Sequence, residues 1–226
     1  MTTPGVAFAA PESPVLRWSV RGASIDAAAV VPALDLELAV SAPPAARVRS
    51  ILLRVQVRIA VRRRGYDAAT RERLYELFGE PSGWGRALRD LVWTQATVVV
   101  PPFEGEAVAA VPLPVSYDFE VGTAKYLYAL PGGAVPLDVL LSGTVFYTAG
   151  DGSLATAMLA NERELRYELD VELVRRAVER FFPGSAWIRI SRDTFDRLWA
   201  LRSRRALPTW DHALGQLLDA DTEEPT

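Results

Sequence analysis

Residues 51–67 read ILLRVQVRIAVRRRGYD, and the period of that stretch decides the fold class. Ile51, Leu53, Val55, Val57, Ile59 and Val61 are apolar, while Arg54, Gln56, Arg58 and Arg62 hold the alternate positions. A period of two sends the two sets to opposite faces of an extended strand, whereas a helix would scatter the arginines around its circumference. The stretch is therefore predicted to be a β-strand with one buried and one wet face. Upstream, LDLELAV alternates in the same way, with Leu34, Leu36, Leu38 and Val40 against Asp35 and Glu37. The connection SAPPAAR suits an antiparallel pair, which would set Asp35 and Glu37 opposite Arg54 and Arg58. Opposite charges across strands contribute about 0.2–1 kcal/mol per pair. Two readings of the stripe stand together: a solvated, salt-bridged sheet face, or a surface for a partner.

The same rule finds further strands. LRWSV (16–20), VWTQATVVV (92–100), VPLPVSYDFEV (111–121) and VPLDVLLSGTVFYT (135–148) each carry an apolar side, and LATAMLA and ELRYELDV follow the Asp151-Gly152 hairpin signal. Pro112 and Pro114 cannot donate ladder hydrogen bonds, which favours an edge position. Helices are predicted where apolar spacing changes to 3.6 behind a capping residue. Asp67 precedes AATRERLYELF, Ser82 precedes GWGRALRDL, and Asp170 precedes VELVRRAVERFF. Ser191 and Thr209 precede RDTFDRLWALRSRRA and WDHALGQLLDA. The expected fold is α+β: a mainly antiparallel β-sandwich or curled sheet with a helical insert at 67–91 and C-terminal helices. The expected organisation is a β-rich domain over 1–169, a helical segment over 170–220 packed on it, and a disordered tail at 221–226.

Composition narrows the function classes. The 226 residues include no cysteine and one histidine, and the formal net charge is −3. Without cysteine there are no disulfides, thiolate zinc sites or protein-ligated iron–sulfur clusters. The acidic balance argues against a nucleic-acid binder. The N-terminal MTTPGVAFAAPESP lacks the basic and apolar regions of a secretory signal, and no apolar run approaches the roughly 20 residues that span a bilayer. A cytoplasmic protein with no cofactor is expected.

Individual candidates are weak as chemistry. His212 has no companion histidine or cysteine for a metal site or triad. Asp118 and Glu120 share a strand face, as surface acids commonly do, and Asp193 and Asp196 complement the dipole at a helix start. Gly132-Gly133 lacks the context of a phosphate loop and reads as a turn. No catalytic and no metal-binding residue is assigned. The residues that suit a partner surface are Arg54, Arg58, Arg62, Trp187, Trp199 and Trp210, because aromatics and arginine are enriched at interface cores.

Several longer strings add a resemblance. RSILLRVQVRI, LFGEPSGWGRALRDLVWT, VVVPPF, YDFEVGTAKYLYAL, VLLSGTVFY, FFPGSAWIRISRDTFDRLWA and LPTW resemble an uncharacterised actinobacterial domain-of-unknown-function family, over roughly Val15 to Leu218. The resemblance implies an association with actinobacterial-type uptake [NiFe]-hydrogenase gene clusters. It carries no catalytic residue onto this chain. Together with the lack of thiolate and imidazole ligands, it implies a non-catalytic protein-binding accessory factor, such as a chaperone or assembly factor for a hydrogenase subunit. The alternatives are a structural subunit or homo-oligomeric scaffold and, third, an enzyme working through carboxylates and arginines.

Overall fold

The computed structural model describes residues 13–115, 122–185 and 188–222. It separates into two compact units, residues 1–186 and 187–226. Among the described residues the first unit holds eight strands: β1 (Arg17–Ile25), β2 (Ala33–Ser41), β3 (Arg47–Ile59), β4 (Leu91–Val100), β5 (Phe103–Glu104), β6 (Glu106–Pro114), β7 (Ala134–Thr148) and β8 (Leu154–Asp170). They make two antiparallel sheets, ordered β1-β2-β6 and β4-β3-β7-β8, with the short β5 also paired to β3. The chain is thus α+β with a sheet-rich core.

Alternation builds that core. Leu34, Leu36, Leu38 and Val40 of β2 face Ile51, Leu53, Val55, Val57 and Ile59 of β3, and all nine are fully buried in one cluster with Leu137, Val139 and Leu141 of β7. Burying a side chain of this kind contributes roughly 1.5–3 kcal/mol. Trp93 of β4 donates its indole N–H to the Pro114 carbonyl of β6 at 2.9 Å, joining the two sheets along one edge. Pro112 and Pro114 do lie on an edge strand, since β6 pairs only with β2 among the described strands.

The expected hairpin between β2 and β3 does not form. β2 pairs with β1 and β6, while β3 pairs with β4, β5 and β7, so the two lie in different sheets. The link between them, APPAA, has no Gly, Asn or Asp to take the positive φ of a tight hairpin turn. It arches across the core instead, held by Ala42 N–H to Gly105 O at 2.8 Å and Ala46 N–H to Pro43 O at 2.9 Å.

Of the insert, Asp67 caps α1 (Ala68–Arg73), its carboxylate accepting from Thr70 N–H at 2.7 Å. The expected single helix breaks at Leu74, whose φ/ψ of −90°/1° separates α1 from α2 (Tyr75–Phe78). Ser82 lies within a 3-10 turn and caps nothing through its side chain; α3 is the short Trp84–Ala87. A further helix, α4 (Gly122–Ala129), falls where no element is expected. The expected strand over 111–121 ends at Pro114, and residues 116–121 are outside the described ones. α5 (Val171–Phe181) starts at its predicted cap, Asp170, and buries Val171, Val174, Ala177 and Val178. The second unit holds α6 (Arg192–Arg204) and α7 (Trp210–Thr222), capped by Ser191 and Thr209 as read from the sequence. Residues 221–222 are helical, and the rest of the expected tail lies outside the described residues.

Candidate functional site

The arginine stripe lies on the outer face of the five-stranded sheet. Arg54 is exposed, between Thr97 of β4 and Ser142 of β7, and has no hydrogen bond or ion pair among the described residues. The adjacent cross-strand row is Val99, Leu52, Thr144 and Met158, of which Val99, Leu52 and Met158 are 66%, 46% and 76% exposed. Arg58 is half-buried and donates to Gln56 Oε1 at 2.8 Å. Arg62 lies beyond the strand and donates to the Leu88 carbonyl at 2.7 Å. Asp35 and Glu37 are on the outer face of the other sheet and meet none of these arginines.

The acid beside this stripe is Asp138, which sequence reading passed over. The alternation of VPLDVLL points it outward on β7, opposite Arg58 of β3 and Arg166 of β8. Arg63 Nη2 lies 2.6 Å from Asp138 Oδ1 but directs a hydrogen bond to Leu137 O at 3.1 Å, so the carboxylate contact is an ion pair without hydrogen-bond alignment. Burial raises the Asp138 pKa above the usual carboxylate value; Glu164 and Asp90 add to the rise, and Arg63 and Arg166 oppose it. The folded state then binds this proton more tightly than the unfolded state. The group's contribution to stability is greatest below the ordinary carboxylate pKa and falls as pH rises through the raised one. Asp138→Asn is expected to gain stability relative to the native chain between pH 4 and pH 7, read from urea unfolding at both. A constant difference would refute this.

Other arginines serve the backbone. The carbonyls at the end of α4 and in LPGGA face outward without helical partners. Arg73 donates to Ala129 O at 2.7 Å, and Arg175 to Leu130 O at 2.6 Å and Pro131 O at 3.1 Å. Arg64 donates to Gly132 O and Ala134 O. Gly132-Gly133 is thus a turn clamped by guanidiniums. Between α4 and α5 runs a mostly apolar cleft of about 210 Å³, lined by Leu127, Tyr128, Val171, Val174 and Val178, with Arg175 and Glu179 at its edge. Both charged groups already have partners, Glu179 accepting from Gly184 N–H at 2.8 Å.

In the second unit Trp210 lies across one face of α6. Its ring centroid is 5.5 Å from Phe195 and 5.9 Å from Trp199, and the Arg202 guanidinium stacks 4.2 Å above it. Arg202 also lies 4.9 Å from the Trp199 centroid. Trp199 remains 50% exposed, and Leu217, next along the Trp210, Ala213, Leu214 stripe, 41%. Ala213 is the one described residue of this unit that is fully buried. Trp187 lies outside the described residues, as do Asp118 and Glu120. His212 is a surface residue whose Nδ1 lies 2.6 Å from Thr209 Oγ1. Asp193 and Asp196 make i,i+4 ion pairs with Arg197 and Arg192.

Among the described residues no three acidic or histidine side chains are grouped to hold a metal ion, and no helix is long and apolar enough to cross a membrane. The model of a family of unknown function (DUF6084) matches residues 13–226, and the chain belongs to that family. No curated protein matches the sequence. A solved structure, the "Putative ApaA Protein" of Bordetella pertussis, is 10% identical over 70% of this chain and 95% of its own, with a TM-score of 0.23. Likeness of that degree informs neither fold nor function.

Proposed function

We propose that this member of a family without an assigned activity is a non-catalytic protein-binding accessory factor, and that its C-terminal helix pair is the binding element. The observation that supports the reading is the aromatic–arginine stack of Phe195, Trp199, Arg202 and Trp210, half-buried but for Trp199, which is exposed. Two helices of 13 residues, with Ala213 the one fully buried side chain among the described residues of the pair, have little core of the kind that makes so small a unit stable alone. Aromatics and stacked arginine are also the residues that dominate binding energy in interfaces. The partner suggested by the resemblance in sequence is a subunit of a [NiFe]-hydrogenase in its immature form, with this chain as chaperone or assembly factor.

The test mixes the purified chain with precursor and mature hydrogenase subunits and measures affinity. Binding to one precursor subunit and not to the mature enzyme is expected. Trp199→Ala and Leu217→Glu should each weaken it at least about tenfold, the range of an interface anchor, with helicity unchanged. Failure to bind any hydrogenase subunit removes that partner. Binding that survives both substitutions removes the helix pair as the binding element. A structural subunit or self-assembling scaffold is the second reading, favoured by the unpaired charges on the two sheet faces.

A further inference from the structure

Each outer face of the sandwich holds a charge without a partner among the described residues, acidic on one face and basic on the other. On the three-stranded sheet, Asp35 and Glu37 project from the central strand β2, and neither has an ion pair or hydrogen bond among the described residues. Their paired cross-strand neighbours carry no charge, and Arg21, in the β1 bulge beside Gly22, is engaged with Glu106 of β6 at 2.5 Å. Ser24 and Pro112 flank Asp35, Gly22 and Ala110 flank Glu37, and Ser19 and Val108 flank the next outward residue, Ala39. Both acids are half-buried in this flat surface, and burial raises the pKa of Asp35, with Asp26 and Glu37 adding to the rise. An anion partly stripped of water and lacking a counter-charge is costly to keep.

The five-stranded sheet presents the converse. Arg54 of central strand β3 has no partner among the described residues, with Thr97 and Ser142 beside it and the apolar row Val99, Leu52, Met158 one step away. The other charges of that face are engaged, Arg58 with Gln56, Asp138 with Arg63, and Arg166 with Glu164. Thus an unpaired cation sits in one face beside an apolar row, and two unpaired carboxylates sit in the other among mostly small side chains. Sheets pack face to face about 10 Å apart with the side chains of the two faces interdigitating.

We propose that a second copy of this chain is the occupant of both faces: the outer face of the five-stranded sheet of one molecule packs on the outer face of the three-stranded sheet of the next, Arg54 meeting Asp35 and Glu37. The pairing that the sequence suggests within one molecule then forms between molecules. Because the two surfaces differ, the contact is heterologous. Each added copy leaves one free face at either end, so assemblies grow past the dimer or close into rings. The contact uses no residue of the helix pair, so either reading can fail alone.

Sedimentation velocity of the full chain across a concentration series tests it. The native chain is expected to form species larger than a dimer as concentration rises. Molar salt, where charges are screened beyond about 3 Å, should disperse them. Arg54→Glu and Glu37→Arg should each weaken association at least about tenfold through like-charge contact. An equimolar mixture of the two variants should recover it, because the intact acidic face of the first fits the intact arginine face of the second. Recovery on mixing also shows that both variants are folded, and Arg54→Gln keeps the test open if the reversal unfolds the chain. A native chain that stays monomeric at its solubility limit overturns the proposal. So does association that survives either reversal, or a mixture of folded variants that stays dispersed.

Discussion

Gly143→Ala is expected to lose at least about 4 kcal/mol of stability, at the exceptional end for a single substitution. Gly143 lies in the interior of β7, paired to Leu53 of β3, where a register shift between Leu141 and Gly143 interrupts the pairing of β7 with β8. A Cβ there would lie 2.1 Å from Leu52 O and 3.1 Å from Leu52 C. Those are backbone atoms of a strand hydrogen-bonded on both sides, so relief requires β3 and β7 to separate. The φ of 152° adds to the strain for any L side chain. For a domain of this size each kcal/mol moves Tm by about 2–4 °C, so a drop of roughly 8–16 °C is expected in a thermal melt. Gly85→Ala is the control: it lies in α3 with open space around it, and the better helix former should be neutral or slightly stabilising. Two melts that fall together would mean that the β3–β7 spacing is softer than its geometry.

Gly143 also shows what the amino-acid sequence makes legible. VLLSGTVFY reads correctly as a strand because alternation needs only local information, and a glycine within it signals a bulge or a close approach without saying to what. Strand neighbours are a different matter. Alternation states which face of β2 and β3 is buried but not whether the chain returns in the same sheet or crosses to the other. The charges of Asp35, Glu37, Arg54 and Arg58 suit a hairpin as well as a contact between molecules. The missing tight-turn residues in APPAA were the available signal, and they favour the crossing. α4 was hidden for a related reason. GTAKYLYA follows a stretch of strong alternation, and a two-turn helix has too few positions for a 3.6 period to show. Asp138 could be placed on an outer face from its neighbours, but not beside Arg63, which lies 75 positions earlier and becomes its ion partner only through sheet pairing.

The aromatic cluster under the insert gives the second large effect, and it turns on a proton count. Tyr66 Oη lies 2.7 Å from Val61 O and 2.8 Å from Tyr126 Oη. A carbonyl can only accept, so the single Tyr66 hydroxyl proton goes to Val61, and Tyr126 must donate to Tyr66. Tyr126 is fully buried, and both burial and its hydroxyl neighbour hold its pKa far above the ordinary phenol value. Edge-on contacts at 5.5–6.4 Å with Trp84 and Phe78 fix both rings, so neither hydroxyl can turn away to a new partner. Removing the Tyr66 hydroxyl therefore strands the Tyr126 donor, at roughly 1–3 kcal/mol for a buried group left unmade, and leaves Val61 O with only the longer bond from Arg64 N–H at 3.4 Å. Removing the Tyr126 hydroxyl strands none: Tyr66 keeps its donation to Val61, and its own oxygen is half-buried and loses only one incoming bond. Tyr66→Phe should thus cost about 1–3 kcal/mol and Tyr126→Phe about 1 kcal/mol or less. The more exposed tyrosine would be the more important one. Denaturant unfolding of the two variants measures the difference directly. The reverse order would mean that the proton runs from Tyr66 to Tyr126, leaving the Val61 carbonyl without this donor in the native chain.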